Sequence, residues 1–190
     1  MWDNDTLYLP YEVSDTQLNG SCFSSDALKV WDDDCVEWFI DTMNDGGGLS
    51  TPGAAYMHSD DFHGIVDILN IHYDSTGSAD GTTHSEWNGD WESAVKVNGT
   101  VNSNQNRDGG YSVEVKIPWT SLNYLPIDDS VIGLSFSLAD KDTSGHYYIM
   151  WPNLSSVAFP NASNWQKVLL SSETTSLPAI TNPLNLPIRP

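Results

Sequence analysis

Basic residues are scarce in this chain, and their scarcity limits the classes of partner that the protein can bind. Seven lysine and arginine residues stand against 26 aspartate and glutamate residues in 190 positions, a formal net charge of −19. A surface this acidic repels phosphate groups, so neither nucleic acid nor an anionic membrane is expected as a partner. Neutral glycans, cations and basic proteins remain as classes of partner that this charge allows. Aspartate greatly outnumbers glutamate, which favours turns and sites for hard cations.

Long apolar runs and sustained helical periodicity are also missing. No run approaches the length of a membrane-spanning helix. Instead, about eight short segments alternate apolar and polar residues with the period of two that is typical of half-buried strands. The pattern predicts one all-β domain over residues 1–170, an antiparallel β-sandwich of jelly-roll-like type.

Motifs for catalysis are absent as well. The chain contains no nucleophile elbow, phosphate-binding loop or dinucleotide fingerprint. The five histidines lack a paired spacing suited to zinc. Two carboxylates are the chemistry that glycoside hydrolysis requires, but no motif selects a pair in a chain so rich in aspartate. We therefore expect a protein that is not an enzyme.

Cysteine is limited to Cys22 and Cys35. Gly20 and Ser21 loosen the chain beside Cys22, so the two sulphurs could close a disulfide across the loop that carries Trp31. The alternative is a pair of free thiols in the core. An extracellular setting favours the bridge, and we predict it on that ground.

The clearest strand follows an acidic triplet at residues 32–34. Between residues 36 and 41, one face carries Val36, Trp38 and Ile40, and the other carries Glu37, Phe39 and Asp41. The first face predicts burial in a core. The second places a carboxylate six positions after an aromatic residue, Trp31, and a flat ring with a nearby carboxylate is suited to holding a sugar.

The remaining alternation predicts further strands and a tail. Trp119 and Trp165 are expected in the core. From residue 171 onward, proline and apolar residues replace the alternating pattern, which favours an extended tail or linker over residues 171–190. The other predicted strands cover residues 7–13, 65–73, 93–97, 111–117, 131–140, 146–151 and 165–170.

An ordered set of short motifs resembles the family 9 carbohydrate-binding modules over residues 3–170. The set consists of residues 5–8 (DTLY), 12–15 (EVSD), 31–41 (WDDDCVEWFID), 110–119 (GYSVEVKIPW) and 132–136 (IGLSF). The resemblance implies a β-sandwich that binds sugar, often appended to xylanases or other glycan-active enzymes, with structural calcium. Family domains usually begin with strands upstream of the first motif. This chain lacks those strands. Either it is a fragment, or another chain or its own C-terminal tail completes the sheet edge that they would form.

The resemblance also implies roles for individual residues. Trp31 and Glu37 match the first of two tryptophans that sandwich a sugar and the carboxylate that accepts its hydroxyls. The second ring belongs to a late loop, where Trp151 or Phe159 is the candidate. Further polar ligands of the family fall on Asn70 and Ser137. These side chains are shorter than those of the family, so the resemblance does not predict which sugar is bound.

Calcium ligands are expected among the aspartates at strand ends. Three consecutive aspartates on an extended chain point apart, so at most two residues of the 32–34 triplet can share one ion. The candidates are Asp15, Asp34, Asp140 and Asp142.

These observations predict a non-catalytic extracellular module that binds plant or algal polysaccharide of glucan or xylan type. It would belong to a larger secreted protein with a flanking catalytic domain. The alternative is a structural or adhesive module that self-assembles through strand addition or through its C-terminal tail.

Overall fold

The computed structural model of the chain describes residues 1–27, 29–46, 57–79, 81, 84–103, 105, 107–153 and 161–172. These residues form ten strands, all paired antiparallel, and two 3-10 turns at Val30–Asp32 and Ala162–Asn164. The strands are β1 (Thr6–Val13), β2 (Cys35–Asp41), β3 (Asp61–Asp67), β4 (His72–Gly77), β5 (His84–Glu86), β6 (Glu92–Asn98), β7 (Gly110–Pro118), β8 (Ser130–Asp142), β9 (Gly145–Trp151) and β10 (Gln166–Leu170).

Two sheets pack face to face around one main core. The smaller sheet has the order β1-β7-β6. The larger sheet has the order β10-β8-β2-β3-β4-β5, with β9 paired to the other half of β8. Buried apolar residues from both sheets form a single cluster. The predicted antiparallel β-sandwich is confirmed.

Strand β2 runs through the middle of the larger sheet and is buried on both faces. Its inner face presents Trp38, which is inaccessible to solvent and meets Trp91 edge-on at a centroid distance of 5.5 Å. Its outer face presents Phe39, which packs in a separate cluster with Met57 and Trp165. Burial of Trp38, Trp119 and Trp165 agrees with the prediction.

The strand predicted over residues 65–73 is two strands joined by a tight turn. Asp67 ends β3, and its Oδ1 atom accepts hydrogen bonds from the backbone N–H groups of Leu69 and Ile71. Asn70 adopts a positive φ of 62°, which asparagine tolerates better than most residues. The continuous apolar alternation hid this turn, because a short carboxylate that bonds to the following backbone is the only local signal.

The N-terminal residues cover the outer side of β1, which is an edge strand of the smaller sheet. The Met1 amine donates to the Tyr8 carbonyl at 2.9 Å, and the Tyr8 N–H donates to the Met1 carbonyl at 2.8 Å. At the other end, the predicted tail lies outside the described residues beyond Ser172.

Candidate functional site

Glu37 is a buried carboxylate on the outer face of the larger sheet and is only 4% exposed. Its two oxygens have different partners on the neighbouring strands. The Ser137 hydroxyl on β8 donates to Oε1 at 2.7 Å, and Nε2 of His63 on β3 lies 2.8 Å from Oε2. A buried charge is costly unless it is hydrogen-bonded. These contacts therefore stabilise the carboxylate and fix its orientation.

A continuous series of rings runs from the centre of this face to Trp31. The His63 ring stacks on Phe39 with centroids 4.1 Å apart and planes 10° apart. It also meets Tyr73 of β4 edge-on at 5.9 Å. Tyr73 in turn meets the half-buried indole of Trp31 edge-on at 5.8 Å. The structure thus connects Trp31 to Glu37 through Tyr73 and His63.

The acidic triplet anchors the turn that carries Trp31. Val30, at the start of the 3-10 turn, is fully buried. The Oδ2 atom of Asp33 accepts hydrogen bonds from the backbone N–H groups of Ser21 and Cys22 at 2.6 and 2.7 Å. Asp33 is therefore a structural carboxylate that holds this loop against the sheet.

Tyr148 places an exposed ring on the Glu37 side of the larger sheet. It pairs with Ala139, which shares a face of β8 with Ser137. Tyr148 is 47% exposed, and its ring lies 4.7 Å from that of His146. Burial raises the pKa of Tyr148 to about 12, and the negative charge of Glu37 adds to the rise. The phenol therefore stays protonated at neutral pH and can donate a hydrogen bond.

Trp151 faces the opposite way from Glu37. It pairs with Phe136, whose side chain shares the face of Trp38, whereas Ser137 pairs with Met150. The Trp151 ring stacks on Phe136 at 5.7 Å. The predicted pairing of Trp151 with Trp31 around one sugar is therefore not what the structure shows. Phe159, the other candidate, lies outside the described residues.

Asn70 is placed away from Glu37 as well. It is exposed in the turn between β3 and β4, and its Oδ1 accepts a hydrogen bond from Ser93 of the smaller sheet at 2.6 Å. The smaller sheet covers the inner face of the larger one, so this contact directs the amide away from the outer face. Of the two predicted polar ligands, the structure brings Ser137 to Glu37 and does not bring Asn70.

Three of the four predicted calcium ligands meet at the start of β2. One carboxylate oxygen from each of Asp15, Asp34 and Asp140 lies within 4.8 Å of the others. Asp142 is close enough that its charge helps to raise the pKa of Asp15 and of Asp140. Oδ1 of Asp140 and Oδ1 of Asp142 are buried and accept no hydrogen bond from the described residues.

Burial governs the protonation of this cluster. It raises the pKa of Asp34 to about 7, and the neighbouring charges of Asp15 and Asp140 contribute to the rise. It raises the pKa of Asp140 to about 6. Backbone N–H groups of Asn19 and Lys141 donate to Asp34 at 2.6 and 2.7 Å and hold it in place. The donor set is all oxygen, which fits a hard cation such as Ca²⁺.

The two cysteines do not form the predicted disulfide and are free thiols. Cys35 is fully buried in β2. The sulphur of Cys22 is directed to the Lys29 carbonyl at 3.5 Å. It also lies within 4.8 Å of carboxylate oxygens of Asp33 and Asp67. The loop is closed by the hydrogen bonds of Asp33, so it does not need a covalent bridge.

Sequence reasoning missed His63, Tyr73 and Tyr148. Each becomes a neighbour of the site only through strand register, which a single strand's alternation does not reveal. The sequence contains only a weak signal for His63. It lies two residues before Ile65, so the period of two places both side chains on the same face of β3.

A β-sandwich with a carboxylate held among aromatic rings on one sheet face defines a candidate carbohydrate-binding module. The comparisons with known proteins give the family. The model of the family described as carbohydrate family 9 binding domain-like matches residues 1–173. The chain belongs to this family and is a carbohydrate-binding module, and the predicted resemblance is confirmed.

Two curated relatives are enzymes of which this chain matches a small part. It is 27% identical over 179 residues to exoglucanase XynX of Acetivibrio thermocellus, covering 93% of this chain and 14% of that protein. It is 27% identical over 175 residues to endo-1,4-beta-xylanase A of Thermoanaerobacterium saccharolyticum, covering 91% of this chain and 12% of that protein. The chain thus spans about an eighth of the length of these relatives.

Two solved structures share the fold. They are a family 9 carbohydrate-binding module from Caldicellulosiruptor kristjanssonii in complex with cellotriose and with glucose. The TM-scores are 0.61 and 0.60 at 24% sequence identity, with coverage of 96% and 94% of this chain and 78% of the other chain.

Among the described residues, no helix has the length and apolar character needed to cross a membrane.

Proposed function

We propose that this module binds sugar on the outer face of the larger sheet without catalysing a reaction, as part of a larger secreted glycan-active protein. The observation that carries the proposal is the Glu37 carboxylate, held by His63 and Ser137 and linked through Tyr73 to the half-buried Trp31. The relatives are named as a xylanase and an exoglucanase, which supports a β-linked glucan or xylan as the ligand.

Each group has a part in this proposal. The exposed side of Trp31 stacks on the C–H face of a sugar ring, as aromatic faces do with polarised C–H and cationic groups. Glu37 accepts hydrogen bonds from sugar hydroxyls. Both of its oxygens already have one protein donor, so His63 and Ser137 determine which lone pairs remain for the ligand. Tyr148 offers a second ring and a phenolic donor on the same side.

The test is calorimetric titration with glucose, cello-oligosaccharides and xylo-oligosaccharides. Saturable binding that is lost in Trp31→Ala supports the proposal. The matched control is Trp151→Ala, because Trp151 is 46% exposed on the opposite face of the sheet. Binding that survives Trp31→Ala but is lost in Trp151→Ala would reject this face as the site. No binding by the folded protein to any sugar would reject the function.

The cluster of Asp15, Asp34, Asp140 and Asp142 is the proposed calcium site. The buried oxygens of Asp140 and Asp142, which accept no hydrogen bond within the described part of the chain, support it. A bound Ca²⁺ supplies positive charge that neutralises the carboxylates. Asp34 leads directly into β2, and Asp140 and Asp142 end β8. Binding there would stabilise the strand ends next to the Trp31 turn. Atomic emission analysis of dialysed protein tests for the metal.

A second candidate function is assembly. Strand β9 lies on one side of β8, and its residues Tyr147 and Ile149 are 48% and 49% exposed. An edge strand with exposed apolar residues can pair with a neighbouring chain. Sedimentation of the full chain and of a variant ending at residue 172 tests this. Concentration-dependent oligomers support assembly, their loss in the shorter chain would assign it to the tail rather than to β9, and a monomer at all concentrations rejects it.

A further inference from the structure

A thiol and two carboxylates from three separate segments meet beside the turn that carries Trp31. Cys22 lies in the loop before that turn, Asp33 follows the 3-10 turn directly, and Asp67 ends β3. The Cys22 sulphur and one carboxylate oxygen from each aspartate lie within 4.8 Å of one another. This cluster combines sulphur with oxygen, so its ligand chemistry differs from that of the all-oxygen calcium site proposed above.

The backbone already fixes the orientation of both carboxylates, which are inaccessible to solvent. Oδ2 of Asp33 accepts hydrogen bonds from two backbone N–H groups of the Cys22 loop, and Oδ1 accepts one from the Ser21 hydroxyl at 2.6 Å. Oδ1 of Asp67 accepts two hydrogen bonds from the turn that follows β3. Folding therefore places these carboxylates beside the sulphur before any ion binds.

One buried oxygen of the cluster has no hydrogen-bond partner. Oδ2 of Asp67 accepts no hydrogen bond from the described residues, because the backbone N–H groups of the turn both donate to Oδ1. Buried acceptors without a partner are rare in folded proteins and costly to stability. The ion pairs formed within the described part of the chain do not include Asp67. A ligand with positive charge would satisfy this oxygen.

The charges around the cluster also favour a cation. Burial raises the pKa of Asp67 to about 6, and the charge of Asp33 contributes to the rise. Burial also raises the pKa of the Cys22 thiol, and the charges of Asp33, Asp67 and Asp32 add to it. The one ion pair that the described residues make with the cluster is weak: Nζ of Lys141 lies 4.0 Å from Oδ1 of Asp33, on a side chain that is 42% exposed. That side chain can move into solvent when an ion binds.

We propose that Cys22, Asp33 and Asp67 bind a thiophilic divalent cation, with Zn²⁺ as the ion that fits best. Zn²⁺ accepts thiolate and carboxylate ligands in a tetrahedral arrangement, and three protein ligands leave the fourth position to water. Ca²⁺ takes oxygen ligands, so a site with a sulphur ligand does not select it. Binding converts the thiol to a thiolate and releases its proton to solvent. Cys22 is only half-buried, which gives the ion a path from solvent.

The ion joins the three segments that surround Trp31. Cys22 and Trp31 both pack against the small buried cluster that contains Val30. An ion held by Cys22 and by the end of β3 therefore restricts the movement of the loop and the turn relative to the larger sheet. This role does not depend on whether the Trp31 ring contacts a sugar.

The test is titration of the reduced, chelator-stripped protein with Cd²⁺, which is a probe for soft-ligand sites, in the presence of excess Ca²⁺. Because Ca²⁺ occupies all-oxygen sites, an ultraviolet cadmium–thiolate charge-transfer band reports coordination by sulphur. We expect a band that saturates at one Cd²⁺ per chain, that is reversed by added Zn²⁺ and that is lost in Cys22→Ser. Cys35→Ala, at the thiol outside the cluster, is the matched control and should keep the band. No band in the folded wild type would overturn the proposal, as would an equal band in Cys22→Ser.

Asp67→Asn separates a built site from adventitious binding by a single thiol. Asparagine keeps an oxygen that accepts the hydrogen bonds of the turn but loses the charge. The affinity for Zn²⁺, measured by competition with a chromophoric chelator, should fall at least about tenfold, because even the loss of a group that only orients a metal ligand costs that much. Asp5→Asn, at an exposed aspartate elsewhere, should bind as the wild type does. Wild-type affinity in folded Asp67→Asn would overturn the proposal. If Asp67→Asn does not fold, the half-buried Cys22→Ser decides.

Discussion

Ser137 lies directly opposite Glu37 in the larger sheet, and its hydroxyl donates a 2.7 Å hydrogen bond to the buried Glu37 carboxylate. The bond joins the two central strands on the face where we propose that sugar binds. Because His63 bonds the other oxygen from the opposite side, Glu37 is held between β8 and β3 before any ligand arrives. A site that is ordered in advance loses less conformational entropy on binding.

Glu37→Gln should weaken sugar binding at least about tenfold, which corresponds to about 1.4 kcal/mol. The amide keeps the size of the side chain and can still accept from Ser137, but it loses the charge and places an N–H₂ group against His63. Calorimetric titration with a cello- or xylo-oligosaccharide measures the change. Glu114→Gln, on an exposed glutamate of the smaller sheet, is the control. Unchanged affinity in folded Glu37→Gln would exclude Glu37 from the site.

The chelated protein should become less stable as the pH rises from about 4 to about 7. In the folded state the pKa values of Asp34 and Asp140 are raised to about 7 and about 6. Over this pH range the folded protein therefore retains protons that the unfolded chain has already lost, and the free energy of unfolding falls as the pH rises. Asp61 and Asp67 act in the same direction. His72 and the Met1 amine, whose pKa values are lowered by burial, oppose them.

Thermal unfolding at pH 5 and pH 8 measures this dependence. In chelator, the melting temperature should be higher at pH 5. With Ca²⁺ the difference should shrink or reverse, because the metal binds deprotonated carboxylates. A melting temperature that rises from pH 5 to pH 8 in chelator would contradict the assigned burial of these groups.

Gly64→Ala should destabilise the fold by about 1–3 kcal/mol or more through overpacking. A Cβ atom at this position would overlap Cζ2 of Trp38, which is itself enclosed in the core. Urea unfolding monitored by tryptophan fluorescence measures the loss. Leu125→Ala, at a residue that is 80% exposed, is the control and should change stability little. Wild-type stability in Gly64→Ala would show that the Trp38 ring can move aside.

The thiols should titrate as two separate free groups. In the native protein Cys22 should react slowly with a disulfide reagent, because burial and the charge of Asp33 raise the pKa of its thiol. Cys35 is fully buried, so it should react only after unfolding. Counting thiols before and after denaturation without reductant measures both. Failure to detect any thiol in denaturant would establish the disulfide between Cys22 and Cys35.

Local alternation was sufficient to predict β2 and its inner face, because Val36, Trp38 and Ile40 differ clearly from Glu37 on the other side. It was insufficient where both faces are apolar. The turn at Asn70 lies inside such a run, and β3 ends there because Asp67 bonds to the backbone that follows it and Asn70 adopts a positive φ.

Only the part of the candidate site that lies within one short stretch of sequence was predictable. Trp31 and Glu37 lie close in sequence, so a short motif identifies them together. His63, Tyr73 and Tyr148 reach the same face from other strands through register. Trp151 was a candidate for this site because the resemblance places the second ring in a late loop, but the pairing of β8 with β9 turns it to the other face. Nothing within a single strand reports that pairing.

The side-by-side placement of Glu37 and Trp38 limits how this module can change over evolution. Adjacent residues of β2 serve opposite faces, so inserting or deleting one residue there would exchange the outer-face carboxylate with a core indole. The length of β2 should therefore stay constant among functional descendants. Variation in ligand preference would then arise by substitution on the outer face and by change in the loops that cover it.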